Sequence, residues 1–231
     1  MSEALRAPGP ASRGRERSAV DPPCYAALDL GTNNCRLLIA TPSASGFRVV
    51  EAYSRIVRLG EGLSQSGRLS DEAMDRALAA LKVSGEKVRR RRVVKFRAIA
   101  TQACRIAENG QAFVTRVANE TGVKLQIITP QEEARLSVTG CLNLLDDRHD
   151  AALVVDVGGG STELSWVDLK ATPPGGAPLV RAWQSIPIGV VTLAERFPEG
   201  EVATAGWFRG MVDHVKAEVA AFRRADAMRS E

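Results

Sequence analysis

Histidine is almost missing from this chain. His149 and His214 are the two in 231 residues, each in a polar or helical setting, so a histidine-based triad or a His-rich metal site is excluded. The four cysteines, Cys24, Cys35, Cys104 and Cys141, form no CxxC pair and match no zinc spacing. Without a secretory signal they read as reduced thiols of a cytoplasmic protein, and Cys35 reads as a small filler rather than a nucleophile. No apolar run approaches the ~18 residues that would span a bilayer. The net charge of +4 is modest, and much of it comes from the N-terminal tail and one arginine run, so no specific nucleic-acid partner is expected.

What is present is a repeat. Asp29-Leu30-Gly31-Thr32-Asn33-Asn34-Cys35-Arg36-Leu37 and Asp156-Val157-Gly158-Gly159-Gly160-Ser161-Thr162-Glu163-Leu164 share an offset of 127 residues at their aspartates, first glycines and closing leucines. Each follows a short apolar run and leads into another, which reads as strand, tight polar turn, strand. Turns of Gly, Asn, Ser and Thr present backbone N–H groups and hydroxyls with little side chain in the way, which suits phosphate. Two copies in register imply a duplicated fold with two phosphate loops facing each other across a cleft.

Around the repeat, residues 1–22 have almost nothing to bury and read as a disordered tail. Order should begin near Tyr25, with a third strand over 47–57. A helix capped by Ser70 ends in Arg89-Arg90-Arg91-Arg92, a run that suits either a solvated helix end or a polyanion-contacting patch. Further strands are expected over 93–100 and 123–128, with a helix between them capped by Asn109. Thr129-Pro130-Gln131-Glu132 has the form of a capping box opening a helix to about Leu145. After the second hairpin come a strand over 179–186, a short helix over 190–197 and a helical pattern over 202–228. The ordering is α/β in two lobes: 23–128, then a linking helix and second lobe over 129–231.

Hydrolysis of a phosphoanhydride needs backbone donors for the phosphoryl oxygens, cations, and a carboxylate to orient water. The two loops offer the donors. Asp29 and Asp156, at strand ends, can hold a divalent cation or its waters, or simply close their own turns. Arg105 can grip a phosphate or make a surface salt bridge. Glu132 has a capping duty, which leaves Glu133 the freer candidate for a general base.

These segments, with Ala100-Thr101-Gln102-Ala103-Cys104-Arg105, Ile128-Thr129-Pro130-Gln131-Glu132-Glu133-Ala134-Arg135 and the stretch Ser185 to Phe197, resemble the exopolyphosphatase/guanosine-pentaphosphate phosphatase family. The Glu-Glu-Ala-Arg segment ahead of the second loop is the discriminating feature. The resemblance implies a two-lobed actin-like ATPase (ribonuclease H-like) fold. It implies Glu133 as base for the attacking water and Arg105 as a phosphate ligand. It implies Thr32, Asn33, Asn34, Arg36, Gly158, Gly159, Gly160 and Ser161 around phosphoryl groups, and Asp29, Asp156 and Glu163 toward Mg²⁺. It further implies inorganic polyphosphate or guanosine pentaphosphate as substrate, a role in the stringent response, and homodimerisation. The similarity runs from Tyr25 to Phe197. Family members continue with a further Gly-Gly-Thr loop that nothing after Phe197 resembles, so the second lobe is expected to be incomplete. The other readings are a kinase or ATPase of the same superfold, and an inactive polyphosphate- or nucleotide-binding fragment.

Overall fold

The structure is a computed structural model that describes residues 22–44, 46–144, 148–171, 176–220 and 222. The tail assigned to 1–22 lies outside these except for Pro22, as does the last part of the helix expected to reach 228.

Alternating apolar residues build the first sheet. Strands β1 (Tyr25–Leu30), β2 (Asn34–Ser43) and β3 (Gly46–Ile56) form an antiparallel meander, and β4 (Lys95–Ala100) and β5 (Leu125–Ile127) extend it in parallel, in the order β3-β2-β1-β4-β5. The short helix α1 (Leu63–Ser66) precedes α2 (Asp71–Arg90), and α3 (Gln102–Ile106) and α4 (Gly110–Thr121) follow β4. Leu28, Leu30, Leu37 and Ile39 of the sheet form one core with Ala77 and Leu81 of α2 and Phe113 and Val117 of α4. That burial is the dominant favourable term in holding the lobe together.

Local chemistry set most boundaries. The Ser70 hydroxyl accepts from Ala73 N at 3.2 Å, and the Thr129 hydroxyl accepts from Glu132 N at 3.2 Å. The strand expected from Val93 starts at Lys95, because Arg92 sits at φ 51° and Val93 N still donates to Val88 O, closing the helix. The strand expected from Val123 starts at Leu125, because Val123 N is taken by the Thr121 hydroxyl. Asn109 caps no N–H of its own helix; its amide instead exchanges two hydrogen bonds with the Leu69 backbone. The arginine run is a helix end: Lys87, Arg90 and Arg91 all converge on Glu51, the last two at 2.9 and 2.7 Å.

The chain passes to the second lobe at the junction of β5 with α5 (Pro130–Cys141), which ends four residues before the expected Leu145 in a 3₁₀ turn, Leu142–Leu144. Strands β6 (Ala151–Val157), β7 (Thr162–Asp168) and β8 (Leu179–Ile186) form an antiparallel sheet in the order β6-β7-β8. Val138 of α5 packs with Val154 and Val167 beneath it. Helices α6 (Val190–Arg196) and α7 (Ala205–Val219) follow. Leu153, Val155 and Val157 of β6 stand exposed. No helix among the described residues is long and apolar enough to cross a membrane.

The repeat survives in three dimensions. In the first hairpin Asp29 pairs with Arg36 and Leu30 with Cys35; in the second Asp156 pairs with Glu163 and Val157 with Thr162. Gly31 N donates to Asn34 O at 2.9 Å, and Gly158 N to Ser161 O at 2.8 Å. Even the irregularities match: the third strand of each meander slips register opposite Ile39/Ala40 and Trp166/Val167, which are again 127 apart.

Candidate active site

The turns of the two hairpins meet. A Cβ added to Gly159 would lie 3.0 Å from Asn33 N and from Thr32 Cβ, and one on Gly160 would lie 1.7 Å from Gln102 Oε1. Gly189 packs equally close to the second loop, where a Cβ would lie 2.4–2.5 Å from the backbone of Gly159 and Gly160. Glycine is favoured at these points by proximity: a Cβ on Gly159 would crowd the first loop, one on Gly160 would displace the Gln102 amide and the Thr32 hydroxyl, and one on Gly189 would strike the backbone of the second loop.

Between the loops lies a cavity of about 270 Å³. Its lining brings together Asp29, Thr32, Asn33, Asn34 and Arg36 of the first hairpin with Asp156, Gly158, Gly159, Gly160, Ser161 and Glu163 of the second. Glu133 joins them from the first turn of α5. Thirteen residues were singled out from the sequence, and Arg105 is the one among them that is not in the lining. It stands behind Glu133, donating from Nη1 to Glu133 Oε2 at 3.1 Å and to Ile128 O at 2.8 Å. Both partners of that ion pair are largely shielded, which makes it stiffer than a surface pair.

Glu132 and Glu133 have parted ways. Glu132 accepts from Arg97 at 3.0 Å and from Arg135 at 2.8 and 2.9 Å. Its carboxylate is thus spent on ion pairs, and the capping box is met by Thr129 alone. Glu133 looks into the cavity, and burial first, then the neighbouring Glu163 charge, pushes its pKa up to about 7 against the pull of Arg105. Glu163 itself is 2 % exposed, and burial raises its pKa despite hydrogen bonds from Ser185, at 2.7 Å, and Ser161. Asp29 is raised too, by burial and by Asp156 and against Arg36. The Cys35 and Cys104 thiols are buried and pushed up to about 11 and 12, so neither is a nucleophile.

Crowded carboxylates of this kind call for a cation. Asp29 Oδ1 is buried with no hydrogen-bond partner. Among the described residues no three His, Cys, Asp or Glu side chains gather closely enough to enclose a metal unaided. A hard ion such as Mg²⁺ needs only one or two carboxylates when phosphate oxygens and waters complete its shell. Asp29, Asp156 and Glu163 fit that demand, and the unpaired Asp29 oxygen is where it is most evident.

Reasoning from sequence missed four contributors. Thr101 and Val190 line the cavity. Gln102 is wedged, buried, against Gly160, and Gly189 supports the second loop. Gln102 sits inside the quoted Ala100–Arg105 segment, and Gly189 follows Ile186-Pro187-Ile188 where no turn type demanded it. Their roles come from the opposite lobe or from a distant loop.

A five-stranded mixed sheet flanked by helices, a second sheet built on the same hairpin, and a polar cleft between the two turns define a protein of the actin-like ATPase fold. Residues 38–226 match the Ppx/GppA phosphatase family, and the chain belongs to that family. Among solved structures it is similar to an exopolyphosphatase-like protein, at 32% identity and TM-score 0.75 over 86% of this chain and 60% of that one. It is also similar to the Aquifex aeolicus Ppx/GppA family member, at 28% and 0.67 over 87% and 62%. An exopolyphosphatase from Cytophaga hutchinsonii matches at 26% and 0.78 over 89% and 63%. The chain therefore spans 60–63% of the length of these relatives.

Proposed function

We propose that this cleft hydrolyses the terminal phosphoanhydride of a chain-like phosphate, either inorganic polyphosphate or guanosine pentaphosphate. The observation that carries the reading is Glu133: a carboxylate with its pKa near 7, held by Arg105, in the same cavity as both loops. A base with a pKa near working pH combines a useful ionised fraction with real basicity. The terminal phosphoryl group lies between the turns, its oxygens met by backbone N–H groups and by the hydroxyls of Thr32 and Ser161. Arg36 adds charge from the first hairpin. Asp29, Asp156 and Glu163 would hold Mg²⁺, which when bound neutralises phosphoryl oxygens and the carboxylates themselves. Glu133 takes a proton from water, whose oxygen bonds to the terminal phosphorus as the P–O bond to the rest of the chain breaks. Orthophosphate leaves, together with a substrate one phosphate shorter. Arg105, bonded to Glu133 from behind, orients the base.

The test is phosphate release from long-chain polyphosphate, with and without Mg²⁺. Release should need the metal and should fall roughly 10²- to 10⁴-fold in Glu133→Gln. Near-parental turnover in that variant would remove Glu133 from the mechanism. Polyphosphate binding without any release would turn the reading into that of a binding protein.

A further inference from the structure

We propose that Glu195 is a positioning residue, an inter-lobe latch that holds the two phosphate loops at their working separation. Glu195 lies on α6 in the second lobe, yet its carboxylate is bonded to the first. Oε1 accepts from Gly62 N at 2.8 Å, and Oε2 accepts from the Ser64 hydroxyl at 2.6 Å, across 133 and 131 residues of sequence. Gly62 sits at φ 72°, a left-handed conformation that favours glycine in this turn.

Each end of this contact is tied to a phosphate loop. On the first-lobe side Gly60 N donates to Thr32 O at 2.9 Å, and Val57 N and Arg58 N donate to Asn33 O at 2.8 and 3.0 Å. The turn that presents Gly62 and Ser64 is thus clamped to the tip of the first hairpin. On the second-lobe side Val190 N donates to Gly158 O at 3.0 Å, and Val191 N to Gly159 O at 2.7 Å. The helix carrying Glu195 therefore starts on the tip of the second hairpin. Loop, turn, carboxylate, helix and loop form a closed ring, and its one link made by a side chain is Glu195.

The chain joins the lobes at the β5–α5 junction, where Arg97–Glu132 and Arg105–Glu133 also bridge them, and the latch ties them at a separate place. A covalent joint and a breakable one, with the loops between them, make a hinge and a catch. A carboxylate with two donors is strong enough to favour the closed arrangement and is still reversible, which a cleft must be to exchange ligand. A ligand that needs both loops binds with its intrinsic affinity scaled by the closed fraction, so releasing the latch weakens binding without touching the site.

The experiment measures the lobe separation directly. Spin labels at Glu72→Cys on the first lobe and Lys170→Cys on the second are placed in a Cys24→Ser, Cys141→Ser background; Cys35 and Cys104 are buried and will not label. The parent should give one narrow distance distribution. Glu195→Ala should broaden and lengthen it, with Glu195→Gln and Ser64→Ala intermediate and Ser64→Ala adding nothing to Glu195→Ala. In parallel, binding of magnesium inorganic triphosphate, measured in a Glu133→Gln background, should weaken by roughly three- to tenfold in Glu195→Ala. An unchanged distance distribution in Glu195→Ala overturns the latch, because a residue that only caps a surface turn would leave the lobes where they are. The binding arm rests on the hydrolase reading, whereas the distance arm does not. If neither parent nor variant binds triphosphate while the distances still change, the latch stands and the proposed function fails.

Discussion

The two hairpins share one backbone and carry opposite chemistry. Position for position, Asp29 faces Arg36 in the first, and Asp156 faces Glu163 in the second. One rung is internally neutralised and the other is doubly acidic. At the tips, Thr32-Asn33 of the first meets Gly159-Gly160 of the second, side chains against bare backbone. Substitution at a few positions makes the two cradles differ: the first sets Arg36 opposite its aspartate and Thr32 and Asn33 at its tip, while the second sets a further carboxylate, Glu163, opposite its own and bares the backbone of Gly159 and Gly160. The lobes differ similarly in bulk. The first is cored by residues of four strands and four helices, whereas the second rests on Val138, Val154 and Val167.

The comparison can be broken most forcefully at the tips. Gly160→Ala should lower phosphate release a hundredfold or more, since its Cβ would strike Gln102, and misplacing reacting groups by about 1 Å costs roughly that much. Gly31→Ala, whose Cβ would meet only Asn34 O at 3.5 Å, should be mild in the same assay. Equal losses at the two positions would mean that the loops are not in working contact.

The charge division predicts a split. Asp156→Asn should raise the Mg²⁺ concentration needed for half-maximal release by about tenfold, leaving substrate KM at saturating metal nearly unchanged. Arg36→Gln should do the reverse. Titrating metal and substrate separately in each variant reads this out, and identical behaviour would erase the proposed asymmetry.

The cores can be compared at one repeat position. Leu37→Ala, in the first core, should cost about 3–5 kcal/mol in denaturant unfolding, and Leu164→Ala, its counterpart at offset 127, nearer 2 kcal/mol. A reversal would show that the second lobe is better packed than its short list of buried residues implies.

The last comparison is electrostatic. Glu133 is raised from 4.5 to about 7, so between those values the folded chain keeps a proton that the unfolded chain has lost. Stability must then fall as pH rises through that window. Glu133→Gln removes the term and should gain roughly 1–3 kcal/mol on the parent between pH 5 and 8, measured as the difference between the two because Asp29 and Glu163 shift the same way. In activity the sign inverts: kcat/KM should climb with pH toward a plateau above about 7, because the base works only when ionised.

Much of this was legible in sequence because it is local. Ser70 and Thr129 announced their helices by cap chemistry, and the repeated Asp-x-Gly turns announced both hairpins by spacing alone. The distinction between Glu132 and Glu133 was legible in kind, though Glu132 turned out to be held by Arg97 and Arg135 rather than by the helix start. Boundaries failed where a nearby backbone or hydroxyl won a donor, as at Val93 and Val123. For Arg105 the sequence leaves phosphate and a salt bridge both open, and its ion pair behind Glu133 depends on the β5–α5 junction reaching α3.

The sequence by itself determined that there are two equivalent polar turns, which carboxylates flank them, and that the pair Glu132-Glu133 precedes the second. Those facts depend on residues within a few positions of each other, where backbone geometry follows from side-chain size and hydrogen-bonding capacity. Only the tertiary structure decided that the turns touch, that Gln102 and Gly189 buttress the second, and that Glu195 reaches Gly62 and Ser64. Contacts between residues so far apart in sequence leave no period or spacing in the chain. They exist because packing two lobes around a shared cleft brings distant polar groups within 3 Å, where each must find a partner.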